Sequence, residues 1–180
     1  MKKYGILLLI LLLSACTGIP ENIKPVDNFD ADRYLGEWYE IARLDHSFER
    51  GLSHVSATYS KRDDGGIRVL NKGYSQEKKA WQSAEGKAYF VDRKDQGHLK
   101  VSFFGPFYSS YIIFDLGENY DYSLVSGMEK SYFWILARTP TIAPELQTEL
   151  ITKAKALGFA TEQLIFVNQD SSQLPADNNP

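Results

Sequence analysis

Gly36-Glu37-Trp38-Tyr39-Glu40-Ile41-Ala42 is the stretch on which the fold turns. It follows a polar N-terminal run and opens the first convincing strand pattern, over residues 36–44. Trp38, Glu40 and Ala42 fall on one face, and Tyr39, Ile41 and Arg43 on the other, because successive side chains of a strand point to opposite sides. Trp38 reads as the residue on which a small β-barrel closes. Gly36 lets the backbone pass tightly beside it. A glycine two residues before a tryptophan is weak alone; its weight comes from the short strands that follow and the single helix after them.

Working outward, a loop over residues 45–51 carries Phe48 at its tip. Strands are expected at 53–62 and 67–74, joined by Asp63-Asp64-Gly65-Gly66, a strong hairpin signal. A long strand at 79–91 puts Ala84, Gly86, Ala88 and Phe90 on one face. Small inward residues there leave room, where a filled core would use leucine or isoleucine. Strands at 98–104, 108–116, 120–126 and 131–138 complete eight at hairpin spacing with no helix between them. Every neighbouring pair should be antiparallel, and eight such strands closed on themselves make an up-and-down barrel without exposed edges. Thr139-Pro140 stops the sheet. A helix is expected from Pro144 to Leu157, with Leu146, Leu150, Ala154 and Leu157 at helical spacing, Pro144 in the first turn and Gly158 as the stop. Its single apolar stripe lies against the outside of the barrel, on a floor of Ile41, Phe133 and Ile135. Leu164–Asn168 is a short ninth strand, and the polar tail 171–180 is flexible.

Met1-Lys2-Lys3, eight unbroken aliphatic residues from Ile6 to Leu13, then Ser14-Ala15 have the three-part shape of a secretory signal. The apolar run is short of the roughly 18–20 residues a spanning helix needs. Leu13-Ser14-Ala15-Cys16 closely resembles the bacterial lipobox, the alternative being an ordinary signal peptide with an incidental cysteine. The resemblance implies cleavage before Cys16, a diacylglyceryl thioether on its sulfur and an acyl group on its new amine. Three chains would anchor the protein almost permanently. Thr17, where an aspartate would favour inner-membrane retention, implies the outer membrane. The domain plan is a signal peptide over 1–15, a lipidated tether over 16–31 whose last part lies on the domain, and a barrel domain over 32–170. Removing Lys2 and Lys3 takes the formal charge from −3 to −5, and nothing basic argues for nucleic acid.

Gly36-x-Trp38, eight meandering strands, Arg138 at the end of the eighth, and then a helix together resemble a lipocalin. Tyr34–Arg43, Phe133–Pro140 and Val101–Phe107 are more similar still to the bacterial outer-membrane lipoprotein lipocalins, relatives of apolipoprotein D. The likeness covers roughly residues 28–170. It implies that Arg138 lies across the Trp38 indole at the closed end, a marker of the fold rather than a site. The middle motif of the family, Thr-Asp-Tyr, is absent; Glu118-Asn119-Tyr120-Asp121-Tyr122 occupies its turn.

His46, His54 and His98 lack metal-ligand spacing, no phosphate loop or nucleophile elbow is present, and no cofactor is implied. The only cysteine is taken by the anchor. Glu40 points inward by parity, a costly place for a carboxylate without a partner such as Arg138 or a lysine, unless a bulge turns it out. Alternation assigns an apolar lining, with ligand contacts at Ala57, Tyr59, Val69, Ala88, Phe90, Val101, Phe103, Ile112, Phe114 and Trp134. An eight-stranded barrel is just wide enough to hold one small ligand, and an apolar calyx suits an acyl chain whose head stays near the mouth. The expected function is non-enzymatic: binding and storing or carrying a fatty acid or lysophospholipid at the periplasmic face of the outer membrane, in support of envelope maintenance. A haem or other small-ligand carrier and a lipid-modifying enzyme are the alternatives. An anionic ligand would call for an inward cation, and alternation offers only Arg138. The oligomeric state is open, a homodimer included.

Overall fold

The computed structural model describes residues 17–170 together with Ser172 and Leu174. The signal peptide, Cys16 and nearly all of the tail lie outside the described residues. Turn chemistry sets the strand order. At the 62–66 turn, Asp64 Oδ1 accepts from Gly66 N at 3.0 Å and Gly65 adopts φ +81°, which folds β2 (Leu52–Lys61) onto β3 (Ile67–Ser75). β4 (Ala80–Phe90), β5 (His98–Ser102), β6 (Ser109–Leu116), β7 (Tyr122–Ser126) and β8 (Phe133–Ala137) follow, each antiparallel to the one before. β1 (Gly36–Arg43) pairs with both β8 and β2, so the eight strands close into a barrel. The turns after β2, β4, β6 and β8 share the Gly36 end, the closed end. The loops 44–51, 76–79, 103–108 and 127–132 share the other, the open end.

β1 bonds to β2 only over Gly36–Tyr39. Above that β2 bends away, with a register shift between Ser53 and Ser56 and His54 at φ +53°. The ninth strand, β9 (Ile165–Phe166), fills the place beside Ala42 and Arg43. Just beyond it, the Gln169 amide donates to Glu40 O at 2.8 Å and Val55 O at 2.9 Å, bridging the two diverging strands.

Two apolar cores result. One fills the barrel around Trp38, Tyr59, Val69, Leu99, Val125 and Leu136. The other lies between the barrel wall and α2 (Pro144–Ala156), where Leu150 and Ala154 pack fully buried on Ile41, Phe133 and Ile135. Burying one such leucine contributes about 1.5–3 kcal/mol. Two β-bulges decide which residues face which core. In β1 the register shifts between Glu40 and Ala42, so Ala42 turns out to the helix side and Arg43 turns in, the reverse of strict alternation. In β6 the strand faces opposite to expectation. Tyr111 stands opposite Leu99 and packs inward with Ile113, whereas Ile112 and Phe114 join the outer core. A second shift between Ile113 and Asp115 then returns Leu116 to the interior.

Residues 17–30 run along the wall made by β5 and β6. Ser110 Oγ donates to Gly18 O at 2.8 Å near the open end. Val26 N donates to Ile113 O at 2.9 Å, and Phe29 N to Asp95 O at 2.9 Å at the closed end. A one-turn helix, α1 (Ala31–Tyr34), capped by the Asp30 carboxylate, then crosses the closed end and delivers the chain to Gly36.

Candidate functional site

The floor of the barrel is built from the opening motif. Trp38 is fully buried and donates from Nε1 to Tyr34 O at 2.8 Å. The Arg138 guanidinium lies 4.0 Å from the indole centroid and donates to three carbonyls: Arg33 O at 2.7 Å, Glu37 O at 2.9 Å and Tyr120 O at 3.2 Å. Gly36 has φ +96°, and a Cβ there would sit 3.3 Å from Arg138 Nη1, so both backbone conformation and space call for glycine. Above Trp38, Tyr34 stacks at 4.6 Å between ring centroids. Its hydroxyl meets that of Tyr111 at 2.8 Å, and Tyr111 meets the Tyr59 hydroxyl at 2.8 Å. Burial drives the Tyr34 phenol up to about 12 and raises Tyr59 and Tyr111 well above the usual tyrosine range, so all three are neutral donors.

The wall above this floor is apolar. Ala57, Phe90, Val101, Phe103, Tyr111 and Trp134 pack on the interior core and are only half-buried. Tyr59, Val69 and Ala88 are buried between them. The space that Gly86 opens is taken by a neighbour: a Cβ there would lie 2.9 Å from the Phe103 ring. Asn71 faces the same lumen between Ala57 and Ala84, and its Oδ1 is buried without a hydrogen-bond partner. Eight of the ten lining positions expected from alternation stand with the interior core; Ile112 and Phe114 do not, because β6 presents Tyr111 and Ile113 instead.

The roof is a buried polar cluster beneath the 44–51 loop. Arg43 Nη1 donates to Glu40 Oε1 at 2.6 Å, and Nη2 to Glu49 O at 2.8 Å and Leu52 O at 3.2 Å. Trp134 Nε1 donates to Glu49 Oε2 at 3.0 Å. His46 Nε2 lies 3.1 Å from the same oxygen, an ion-pair distance, with the ring turned from the angle a hydrogen bond needs. Arg43 is 1% exposed and Glu40 2%, so this charge is held out of water. Burial first, then the Glu49 charge, raise the Glu40 carboxyl well above the usual range against the pull of Arg43. Burial also opposes ionisation of Glu49, but the contacts from His46, Trp134 and Glu40 overcome it and hold Glu49 low. The two carboxyls are thus pushed in opposite directions, Glu40 towards keeping its proton and Glu49 towards losing it, with the Arg43 guanidinium against Glu40. Glu40 thus finds Arg43, not Arg138 or a lysine, and the barrel has an inward cation that alternation hides.

Two hollows lie apart from the lumen floor. One of about 340 Å³ is on the outer wall among Tyr39, His54, Leu70, Trp81 and Pro140. A smaller one, about 190 Å³, lies by Glu85, Lys87 and Phe103, where β4 runs on beyond the end of β5. Among the described residues no group of three or more His, Cys, Asp or Glu side chains is placed to hold a metal ion. No helix among them is long and apolar enough to cross a membrane.

Comparison with known proteins agrees with this architecture. Residues 29–169 match the model of a lipocalin-like domain. The chain is 55% identical over 170 residues to the outer membrane lipoprotein Blc of Vibrio cholerae, covering 94% of this chain and 99% of that one. It is 32% identical over 151 residues to mouse apolipoprotein D, covering 79% and 78% of the two. The solved structure of insecticyanin from the tobacco hornworm Manduca sexta superposes with a TM-score of 0.67 at 20% identity, over 84% of this chain and 86% of that one. With Trp38 under Arg138 at the closed end of an eight-stranded calyx, the chain belongs to the lipocalin family.

Proposed function

We propose that this protein binds a fatty acid or lysophospholipid in its calyx and stores or carries it at the bacterial outer membrane, in support of envelope maintenance under stress. The observation that carries the reading is the layering of the lumen: walls that are apolar but for Asn71 and only half-buried at several positions, with the other polar groups in the phenols below and the Glu40–Arg43–Glu49 cluster above. An acyl chain suits such walls, and one polar head is all they could serve. The outer membrane enters from the name of the Vibrio cholerae relative and from the lipobox at Leu13–Cys16, with the barrel on the periplasmic face. Carriage rather than catalysis is favoured because Glu40, the one candidate acid, is engaged by Arg43 and Glu49. Both terminal nitrogens of Arg43 are engaged by Glu40 and two carbonyls, leaving only its buried Nε without a partner, which argues against a site for an anionic siderophore or the propionates of haem.

Displacement of a fluorescent fatty acid by oleate and by lysophosphatidylethanolamine tests the reading. Saturable binding at micromolar concentration or below is expected. Absence of displacement by either, with native mass spectrometry of the purified protein showing no retained lipid, would remove it. Turnover of a lipid substrate that Glu40→Gln abolishes while binding persists would revive the enzyme.

A further inference from the structure

The two ends of the barrel differ sharply in surface chemistry. Among the described residues six large hydrophobic ones are exposed: Ile19 at 42%, Phe48 at 65%, Phe104 at 71%, Phe107 at 73%, Ile165 at 39% and Phe166 at 53%. All belong to the open half. Phe48, Phe104 and Phe107 are on its loops, Ile165 and Phe166 pair with the last residues of β1, and Ile19 follows the glycine bonded to Ser110. The closed-end turns instead carry Asp63, Asp64, Arg93, Asp95 and Glu118. Single exposed apolar residues are ordinary; their confinement to one end marks a surface that meets something apolar.

The course of the chain says what that is. Residues 17–30 climb the β5–β6 wall towards the open end, where Ser110, three residues after Phe107, donates to Gly18 O and the Thr17 backbone meets the neighbouring strand at His98. Cys16 is the next residue, within about 4 Å of Thr17 along the backbone. An acyl anchor on Cys16 therefore leaves the protein beside the mouth, not at the far pole. Segment 103–108, Phe-Phe-Gly-Pro-Phe-Tyr, contains no charge at all. On the other open-end loops Arg50, Lys78, Lys79 and Lys130 stand against Asp45, Glu49, Glu77 and Glu129, four of each sign, so this end escapes the negative balance of the whole chain. An acidic pole would be repelled by anionic lipid; this one is not.

We infer that the open end is seated in the lipid leaflet that holds the anchor, with Phe48, Phe104 and Phe107 among the acyl chains and the calyx mouth facing the bilayer. Ligand then passes between membrane and calyx without crossing water. This rests on the lipid-carrier reading and on acylation of Cys16, and adds the direction from which the ligand comes.

The test uses the acylated full-length protein reconstituted in vesicles of phosphatidylethanolamine and phosphatidylglycerol. Cys16 is the sole cysteine, so an introduced one is the only free thiol once Cys16 carries its lipid. A nitrobenzoxadiazole label on Phe107→Cys should be quenched by nitroxide-bearing lipid and shielded from aqueous iodide. The same label on Glu118→Cys, at the closed end, should behave oppositely. Equal quenching at both positions, or lipid quenching at Glu118→Cys alone, overturns the orientation. In a second arm, Phe104→Asp with Phe107→Asp should displace oleate in solution within about twofold of the parent yet take it up from vesicles at least about tenfold more slowly. Uptake unchanged by these substitutions refutes direct exchange. If the parent binds no fatty acid at all, the carrier reading falls while the label still reports which end meets the membrane.

Discussion

Replacing Arg43 by methionine keeps an unbranched apolar stem and removes the guanidinium that donates to the Glu40 carboxyl and the Glu49 carbonyl. In the parent, one guanidinium lies beside two carboxyls pushed in opposite directions, Glu40 up and Glu49 down, all of it nearly inaccessible to water. Removing one partner of a buried ion pair costs about 3–5 kcal/mol, because the remaining charge is left unpaired. For a domain of this size each kcal/mol moves the melting temperature by about 2–4 °C, so Arg43→Met should melt roughly 6–20 °C below the parent at pH 8. The pH dependence has a sign. Burial raises Glu40 above its ordinary 4.5, so the folded state holds a proton that the unfolded state releases. Stability from that proton is present below about 4.5 and is lost as pH rises towards the folded value. Glu49, held low, runs the other way, and its contribution is lost as pH falls through its lowered value. Without Arg43 the pair can take a second proton in acid, and each unit of upward shift recovers about 1.4 kcal/mol. The deficit of Arg43→Met should thus be clearly smaller at pH 5 than at pH 8, and adding Glu40→Gln should recover about 2 kcal/mol at pH 8. Calorimetric melting across that range is the assay. A variant melting within about 2 °C of the parent, or one whose deficit is the same at both pH values, would refute this account of the roof.

Other consequences can be checked in parallel. Arg138→Ala removes a cation over Trp38 and three carbonyl contacts and should cost about 2–4 kcal/mol in denaturant unfolding, with little change in lipid affinity per folded molecule. Gly36→Ala places a Cβ at φ +96° against Arg138 and should cost about 1–3 kcal/mol in the same assay. Ala57→Trp puts an indole into the barrel interior and should weaken oleate binding at least about tenfold while the circular dichroism spectrum stays that of the parent. Leu150→Ala, under α2 in the outer core, should cost about 2–5 kcal/mol and leave affinity unchanged, which separates the two cores experimentally.

The sequence showed the barrel plainly where a residue type has one structural use. Gly36, Trp38, the Asp63–Gly66 turn and the apolar stripe of α2 between Pro144 and Gly158 all belong to that class, and Arg138 lies where the family resemblance places it. The lumen was harder to read, for two physical reasons. A bulge adds one residue without any glycine or proline to announce it, so Ile41 and Phe114 reverse the alternation silently. Everything beyond them in the strand changes face, and Arg43 becomes a buried cation rather than a surface one. In β6, Tyr111-Ile112-Ile113-Phe114 is apolar on both faces, because Ile23 and the α2 side cover its outer surface as fully as the lumen covers its inner one. Alternation then has no polar side by which to choose. The roof was legible only as an unexplained inward Glu40, since its partners come from the other side of a bulge and from the 44–51 loop. The course of residues 17–30 left no periodic trace, because single backbone hydrogen bonds hold it to the wall.

A crystal structure of the protein with oleic acid tests the central claim most directly. The account predicts one acyl chain inside the barrel, between Ala57, Val69, Ala88 and Trp134, running from the Tyr59–Tyr111 floor towards the open end, with the carboxylate nearest the mouth. Lipid found instead in the outer-wall hollow beside Tyr39 and Trp81, or a lumen that stays empty of lipid at saturating oleate, would contradict it.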